Sequence, residues 1–308
     1  MKDRLIKRIV LAYSGGLDSS AIPWLAGKYG AEIVAVTIDL GQGRELEAVR
    51  DRALASGALR AHVLDVRDDF AKRYLLRALK ADALYDVARS MVDAIGLPLI
   101  AKTLVDIAAI EQTTAIAHGA SGYDSRIGVA VEALNPAITM VAPERGWEPK
   151  PAESVAGPAG ECPDEPAYVE IAFDRGVPTA INGIAMPFAD LIGSLDFLAG
   201  AHNVGRRGRL ETPAAVVLHE AHRDLQVAVI TSAETHRLLE AARQAYIGIL
   251  DEGSWFAPER QALDAEVDHM QEHVSGIVRL ELFKGSCAIV ERRPPASSPG
   301  LTMAPAKA

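Results

Sequence analysis

Between residues 8 and 145 short apolar runs alternate with stretches in which apolar positions recur at helical spacing. The runs at 9–13, 32–43, 60–67, 113–120 and 138–143 read as strands, and the helical patterns cover 21–29, 44–58, about 68–89 and about 98–112, the last starting near Pro98. Strands spaced by helices of this length are the mark of a doubly wound parallel sheet, so the fold class expected is α/β. In such a sheet the carboxyl ends of the strands form the ligand crevice. The segments Ser14–Ser20, Asp39–Gly43, His118–Gly122 and Ala142–Pro143 fall at those ends.

The pattern changes after residue 147. Residues 148–166 are rich in Pro, Gly and Ala and read as a linker. Two strands joined at Arg175-Gly176 then predict a hairpin, followed by a helix over 188–202 and mostly helix up to Gln271. Two final apolar runs, 274–285 and 286–293, close a smaller α+β domain over 167–293. The Pro- and Ala-rich residues 294–308 are expected to be disordered. The domain reading is therefore a nucleotide-binding domain at 1–147, the linker, the second domain and the tail.

Charge and cysteine content narrow the function classes. A formal net charge of −9 argues against a surface built for nucleic acid. No apolar run approaches the ~20 residues of a spanning helix, so no membrane partner and a cytoplasmic location are expected. Cys162 and Cys287 stand far apart without metal-ligand spacing and read as free thiols, and the eight histidines are scattered.

The candidate chemistry lies in "IVLAYSGGLDSS", residues 9–20. A strand gives way to Ser14-Gly15-Gly16, then Leu17-Asp18-Ser19-Ser20, then a helix. The two glycines allow positive φ and close approach of backbone to a ligand, and the free N–H groups of the helix start attract an anion. A phosphate cradle is the direct reading. His118-Gly119 ends another strand at the same edge, where backbone beside a glycine can approach a nucleotide. Asp18 could cap the helix or organise a metal ion.

"AYSGGLDSS" is similar to the signature of the N-type ATP pyrophosphatases, and the longer match resembles the argininosuccinate synthase family. "VLAYSGGLDSS", "TIDLGQG", "ALYD", "PLIAK", "AHGASG", "DEPAYVEIAFDRGVP" and "GSWFAP" occur in the family's order across residues 8–293. The resemblance implies an adenine nucleotide alpha hydrolase-like domain, with ATP and Mg2+ as cofactors. It implies an AMP- and pyrophosphate-forming ligase that adenylates a carbonyl or ureido oxygen and then admits an amine. It places Asp18 and Ser19 in catalysis. ATP would be held by Ala12, Tyr13, Ser14, Gly15, Gly16, Ser20, Val36, His118 and Gly119, with Ala12 and Val36 lining the adenine pocket. Tyr85, Ser121, Asp124 and Glu211 would face amino-acid-like small-molecule substrates. A homo-oligomer, dimer or tetramer, is also implied.

Departures from the family's pattern collect on the acceptor side. Arg89, Val92 and Asp93 stand where the family holds citrulline with a tyrosine and a Gly-Thr/Ser pair, and Leu97 replaces an arginine. The linker and the "VGRRGRLETP" stretch are shorter than their family counterparts. Arg206, Arg207 and Arg209 in that stretch read either as a solvated charge run or as a clamp for a carboxylate or phosphate. Two functions are therefore expected to compete: a ligase whose altered acceptor pocket takes citrulline in a rearranged way or, in preference, a different carbonyl acceptor, and a nucleotide-binding partner or regulator without ligase activity.

Overall fold

The computed structural model describes residues 6–14, 20–41, 46–86, 89–118, 125–141, 162–207 and 210–293; of residues 86, 89–90, 206–207 and 210–211 only the backbone is described. In chain order the elements are β1 (Arg8–Ala12), α1 (Ala21–Tyr29), β2 (Glu32–Asp39), α2 (Leu46–Ala55), β3 (Arg60–Asp65), α3 (Arg67–Phe70) and α4 (Leu76–Lys80). Next come β4 (Tyr85–Asp86), β5 (Arg89–Ser90), α5 (Val92–Ile110), β6 (Ala115–His118), α6 (Ser125–Leu134) and β7 (Thr139–Val141). The chain continues with β8 (Ala167–Asp174), β9 (Val177–Ile181), β10 (Ile184–Ala185), α7 (Phe188–Ala201), β11 (Arg206–Arg207), β12 (Leu210–Glu211) and α8 (Pro213–Val229). It closes with α9 (Ala233–Glu252), α10 (Pro258–Met270), β13 (Gly276–Phe283) and β14 (Ser286–Arg293). Two compact units result: Met1–Arg67 with Gly96–Val155 and Leu250–Ala257, and Asp68–Ile95 with Ala156–Ile249 and Pro258–Ala308.

The first unit is built on a five-stranded sheet of order β3-β2-β1-β6-β7. All four pairings are parallel, so the α/β reading holds. Alternate residues of each strand point to opposite faces. Ile9, Leu11, Ile33, Ala35 and Ala117 pack with Ile22 and Leu25 of α1 and Val49 and Ala53 of α2. Val10, Val34, Val36 and Ile116 pack with Ala101, Leu104 and Ala108 of α5 and with Ile127, Ala130 and Val131 of α6. Apolar burial on both faces explains why Ile33–Val36 of β2 form an unbroken apolar run.

The amino edge of this sheet is fastened by charge. Glu111, just past α5, has a side chain only 1% exposed. Arg8 Nη1 donates to its carboxylate at 3.0 Å, and Arg60 Nη1 donates to its two oxygens at 3.0 and 2.8 Å. His62 Nε2 stands 3.2 Å from Oε1. These partners come from β1 and β3, so one carboxylate ties strands that do not touch. Arg8 also reaches Glu32, the first residue of β2.

The second unit carries an antiparallel sheet of order β10-β9-β8-β13-β14. The hairpin predicted at Arg175-Gly176 forms, with φ of 50° and 74° at the two turn residues. Asn182-Gly183 and Lys284-Gly285 repeat this pair of positive φ values at the next two hairpins. Two consecutive left-handed residues match the twist of the flanking strands. Val169, Ile171, Val278, Leu280 and Leu282 form the buried face of the sheet.

Two helix boundaries differ from expectation. The pattern predicted through about Arg89 stops at Lys80, because the chain turns left-handed at Asp82, with φ of 54°. The Asp82 N–H donates to the Leu79 carbonyl and the Ala83 N–H to that of Ala78, a Schellman ending. A short hairpin, β4-β5, takes up the residues beyond. The helix expected to start near Pro98 starts instead at Val92, with Asp93 in its first turn and Pro98 inside it. Proline there removes one bond to the Ala94 carbonyl, a loss that burial of the helix outweighs. Between α3 and α4 the chain makes one π-helical stretch, Ala71–Leu75.

Gly253 is required by shape. Its φ is +75°, and a Cβ there would stand 2.6 Å from Arg126 Cα and the Arg126 carbonyl oxygen. Gly253→Ala should lower stability by roughly 1–3 kcal/mol, read as a reduced urea midpoint at unchanged slope. A midpoint equal to that of the wild type would contradict this packing.

Candidate active site

At the carboxyl edge of the parallel sheet three candidate residues stand side by side. Ala12 is in register with Val36 on one side and His118 on the other. Neighbours in register share a face, and this is the face covered by α5 and α6. Val36 is fully buried in that cluster, His118 is buried, and Ala12 is half-buried at the strand end.

Tyr13 turns to the opposite face and is buried among Ile9, Leu11 and Ile22. Both of its backbone groups are held by β2: its N–H donates to the Val36 carbonyl at 2.9 Å, and its carbonyl accepts the Thr37 hydroxyl at 2.8 Å. The chain is thus anchored just before Ser14. Ser14 and Ser20, the residues flanking the turn, are exposed. Ser20 precedes α1 without a side-chain capping bond, and the first turn of α1 contains no acidic residue. Its positive end therefore meets no carboxylate of its own first turn, the condition under which a helix start receives an anion. Gly15, Gly16, Asp18, Ser19, Gly119, Ser121 and Asp124 lie outside the described residues.

The same edge holds a charge pair that pattern reasoning missed. Asp39, ending β2, accepts the Gly41 N–H at 2.9 Å, and Arg67 Nε stands 3.5 Å from its other oxygen. Arg67 is also gripped by Asp65 through two hydrogen bonds of 2.9 and 2.6 Å. The Arg67 side chain and backbone N–H hold the Asp65 carboxyl down at about 2. An Asp-x-Arg spacing at a strand end was the available signal. Beside His118 a cavity of about 370 Å3 opens between β6, α6 and β7, lined by Ser125, Glu132, Val131, Ile138 and Met140 among others.

The second unit gathers Tyr85. Its hydroxyl lies 3.3 Å from Thr212 Oγ1, its ring packs against His219 with centroids 5.0 Å apart, and its carbonyl accepts Arg243 Nη2 at 2.7 Å. Glu211, adjacent to Thr212, pairs in register with Arg206 across the β11-β12 ribbon. That ribbon closes on Gly205, where a Cβ would fall 2.8 Å from Pro213 Cα. Asp93 is exposed in the first turn of α5. Cys162 and Cys287 are free, and burial pushes the Cys287 thiol up to about 12. Among the described residues no group of three or more His, Cys, Asp or Glu could hold a metal ion, and no helix is long and apolar enough to cross a membrane.

Comparison with known proteins identifies both halves of the chain. Residues 8–156 match the model of the arginosuccinate synthase N-terminal HUP domain, and residues 148–301 match that of the arginosuccinate synthase C-terminal domain. Argininosuccinate synthase of Thermoanaerobacter sp. (strain X514) is 36% identical over 346 residues, covering 91% of this chain and 84% of that protein. Argininosuccinate synthase of Oleidesulfovibrio alaskensis is 36% identical over 359 residues, covering 95% and 90%. Both alignments are longer than the 308 residues of this chain, so both open gaps in it. With a five-stranded parallel sheet in the first unit, and with both halves matched, the chain belongs to the argininosuccinate synthase family.

Proposed function

We propose that the protein is an ATP-dependent ligase that adenylates a carbonyl or ureido oxygen, releases pyrophosphate, and joins the activated carbon to an amine, with an acceptor other than citrulline. The observation that carries the nucleotide half is the line Ala12–Val36–His118 beside the anchored turn at Tyr13. Ala12 offers a small side chain at the edge, so a flat base can rest on it. Val36 supports the base from the core. Ser14, Gly15, Gly16, Ser19 and Ser20 supply N–H and hydroxyl donors to the phosphates, with the positive end of α1 behind them.

The acceptor oxygen attacks the α-phosphorus as its bond to the pyrophosphate oxygen breaks. The amine then displaces AMP from the adenylated carbon. Much of the rate comes from holding the attacking oxygen, phosphorus and leaving oxygen in line. Mg2+ held beside Asp18 would neutralise charge on the leaving pyrophosphate. Gly119 lets backbone approach the adenylated intermediate, and Tyr85, Ser121, Asp124 and Glu211 face the acceptor and the amine donor, for which aspartate is the expected compound.

The altered acceptor is argued from Arg89, Val92, Asp93 and Leu97, which change both charge and shape where the family binds citrulline. An acid at position 93 favours a substrate carrying an amine or guanidine over one presenting a carboxylate there. Exchange of labelled pyrophosphate into ATP with Mg2+, with citrulline and with a panel of ureido, amide and carboxylate compounds, tests the whole reading. Exchange that appears only with an added acceptor is expected, and strongest with a compound other than citrulline. ATP binding without exchange for any compound would replace the ligase by a nucleotide-binding regulator.

A further inference from the structure

We propose that Asp82, His219 and Arg243 form a positioning cluster that fixes Tyr85 against Thr212. Its bearing on the acceptor rests on the reading above that Tyr85 and Glu211 face that substrate. Asp82 occupies the left-handed position that ends α4, where glycine or asparagine is the usual occupant. A strained aspartate that caps nothing by its side chain calls for a role for its carboxylate. That carboxylate is buried, with Oδ1 3.3 Å from His219 Nδ1 and Oδ2 3.8 Å from Nε of both Arg223 and Arg243. Oδ1 accepts no hydrogen bond in this arrangement.

Arg243 connects the strained turn to the tyrosine. Its Nε donates to the Asp82 carbonyl at 3.0 Å and its Nη2 to the Tyr85 carbonyl at 2.7 Å. His219 connects them a second time, with Nδ1 towards Asp82 and its ring against Tyr85. Tyr85 is thus held at its backbone, its ring and its hydroxyl, the last on Thr212 at the start of α8. The β4-β5 and β11-β12 ribbons, one beginning at Tyr85 and the other ending at Glu211, are joined through this contact. Rotation of the tyrosine would separate them.

The pair also holds a proton. Burial pushes Asp82 up to about 6 against the pull of Arg223 and Arg243, with Glu240 and Glu220 adding to the rise. Burial, with Arg223 and Arg243, pushes His219 down to about 4. Between those values Asp82 carries the proton and His219 is neutral. Loss of the Asp82 proton near pH 6 places a negative charge against His219, whose ring packs on that of Tyr85.

The test is carbon NMR of the full chain labelled with tyrosine at Cζ, from pH 5 to 8, with the Tyr85 signal among seven tyrosines identified by its loss in Tyr85→Phe. In the wild type the Tyr85 signal should move with one midpoint near 6, and in Asp82→Asn it should stay flat. Should Asp82→Asn fail to fold, Asp82→Gly, which suits the left-handed backbone, serves in its place. A wild-type signal flat over the whole range, or one that titrates equally without the carboxylate, overturns the cluster. The measurement uses no acceptor, so a failure of exchange with every compound would sink the ligase reading and leave this result to stand on its own.

Discussion

Asp18→Ala should lower acceptor-dependent pyrophosphate exchange at least about 100-fold while leaving the melting temperature within a few degrees. The expectation follows from the place of Asp18 in the sequence Ser14-Gly15-Gly16-Leu17-Asp18-Ser19-Ser20, between the end of β1 and the start of α1. Phosphoryl and adenylyl transfer involve little covalent chemistry by the protein, so the loss of one group that organises charge at the reacting phosphate is felt in full. Asp18→Asn separates two roles. Asparagine keeps an oxygen able to cap the helix and loses the charge. If Asp18 only caps α1, Asp18→Asn retains exchange; if it organises Mg2+ or phosphate charge, both variants fail alike. Near wild-type exchange in Asp18→Ala would remove the residue from the catalytic set.

The second large effect lies at the opposite edge of the sheet. Glu111→Ala should cost about 1–2 kcal/mol of stability, because it removes the buried carboxylate that accepts from Arg8 and Arg60 while leaving both arginines open to water. For a chain of this size that corresponds to a fall in melting temperature of about 2–3 °C. The pH dependence has a definite sign. Burial alone would raise the Glu111 carboxyl, yet hydrogen bonds from Arg60 and His62 and the charges of Arg60 and Arg8 hold it below its ordinary 4.5. A depressed native value contributes stability above 4.5 that is lost as the pH falls through the native value. The gap between wild type and Glu111→Ala should therefore be widest near neutral pH and shrink on acidification, as urea unfolding at pH 7 and pH 4 would show. A gap that stays constant would mean that packing, and not charge, accounts for the loss.

How much of this was legible beforehand depended on the range of the interactions involved. The parallel sheet was readable because Ile9–Leu11, Ile33–Val36 and Ala115–Ala117 are apolar on both faces and separated by helical spacing. The hairpin at Arg175-Gly176 was readable because the turn residues themselves demand positive φ. The end of α4 was not, since an aspartate at the left-handed position gives no glycine signal. The start of α5 is not legible because a proline reads as a helix boundary, whereas the Met91 and Ile95 N–H groups, which donate to the Leu84 and Met91 carbonyls, bracket the actual start. The Ala12–Val36–His118 alignment needed the register of three strands. The Asp82–His219–Arg243 cluster joins positions far apart in sequence and leaves no local trace.

The strand order of the antiparallel sheet sets a timetable for synthesis. β8 pairs on one side with β9, a few residues later, and on the other with β13, Phe173 lying opposite Gly276. About 100 residues of helix and ribbon must leave the ribosome before that second partner exists, and closing so long a loop is slow. Until then the backbone donors and acceptors along one side of Ala167–Asp174 are an open template for another chain. A nascent chain halted before residue 276 is thus the form most exposed to misassembly, and the final strands complete the sheet by insertion beside its first.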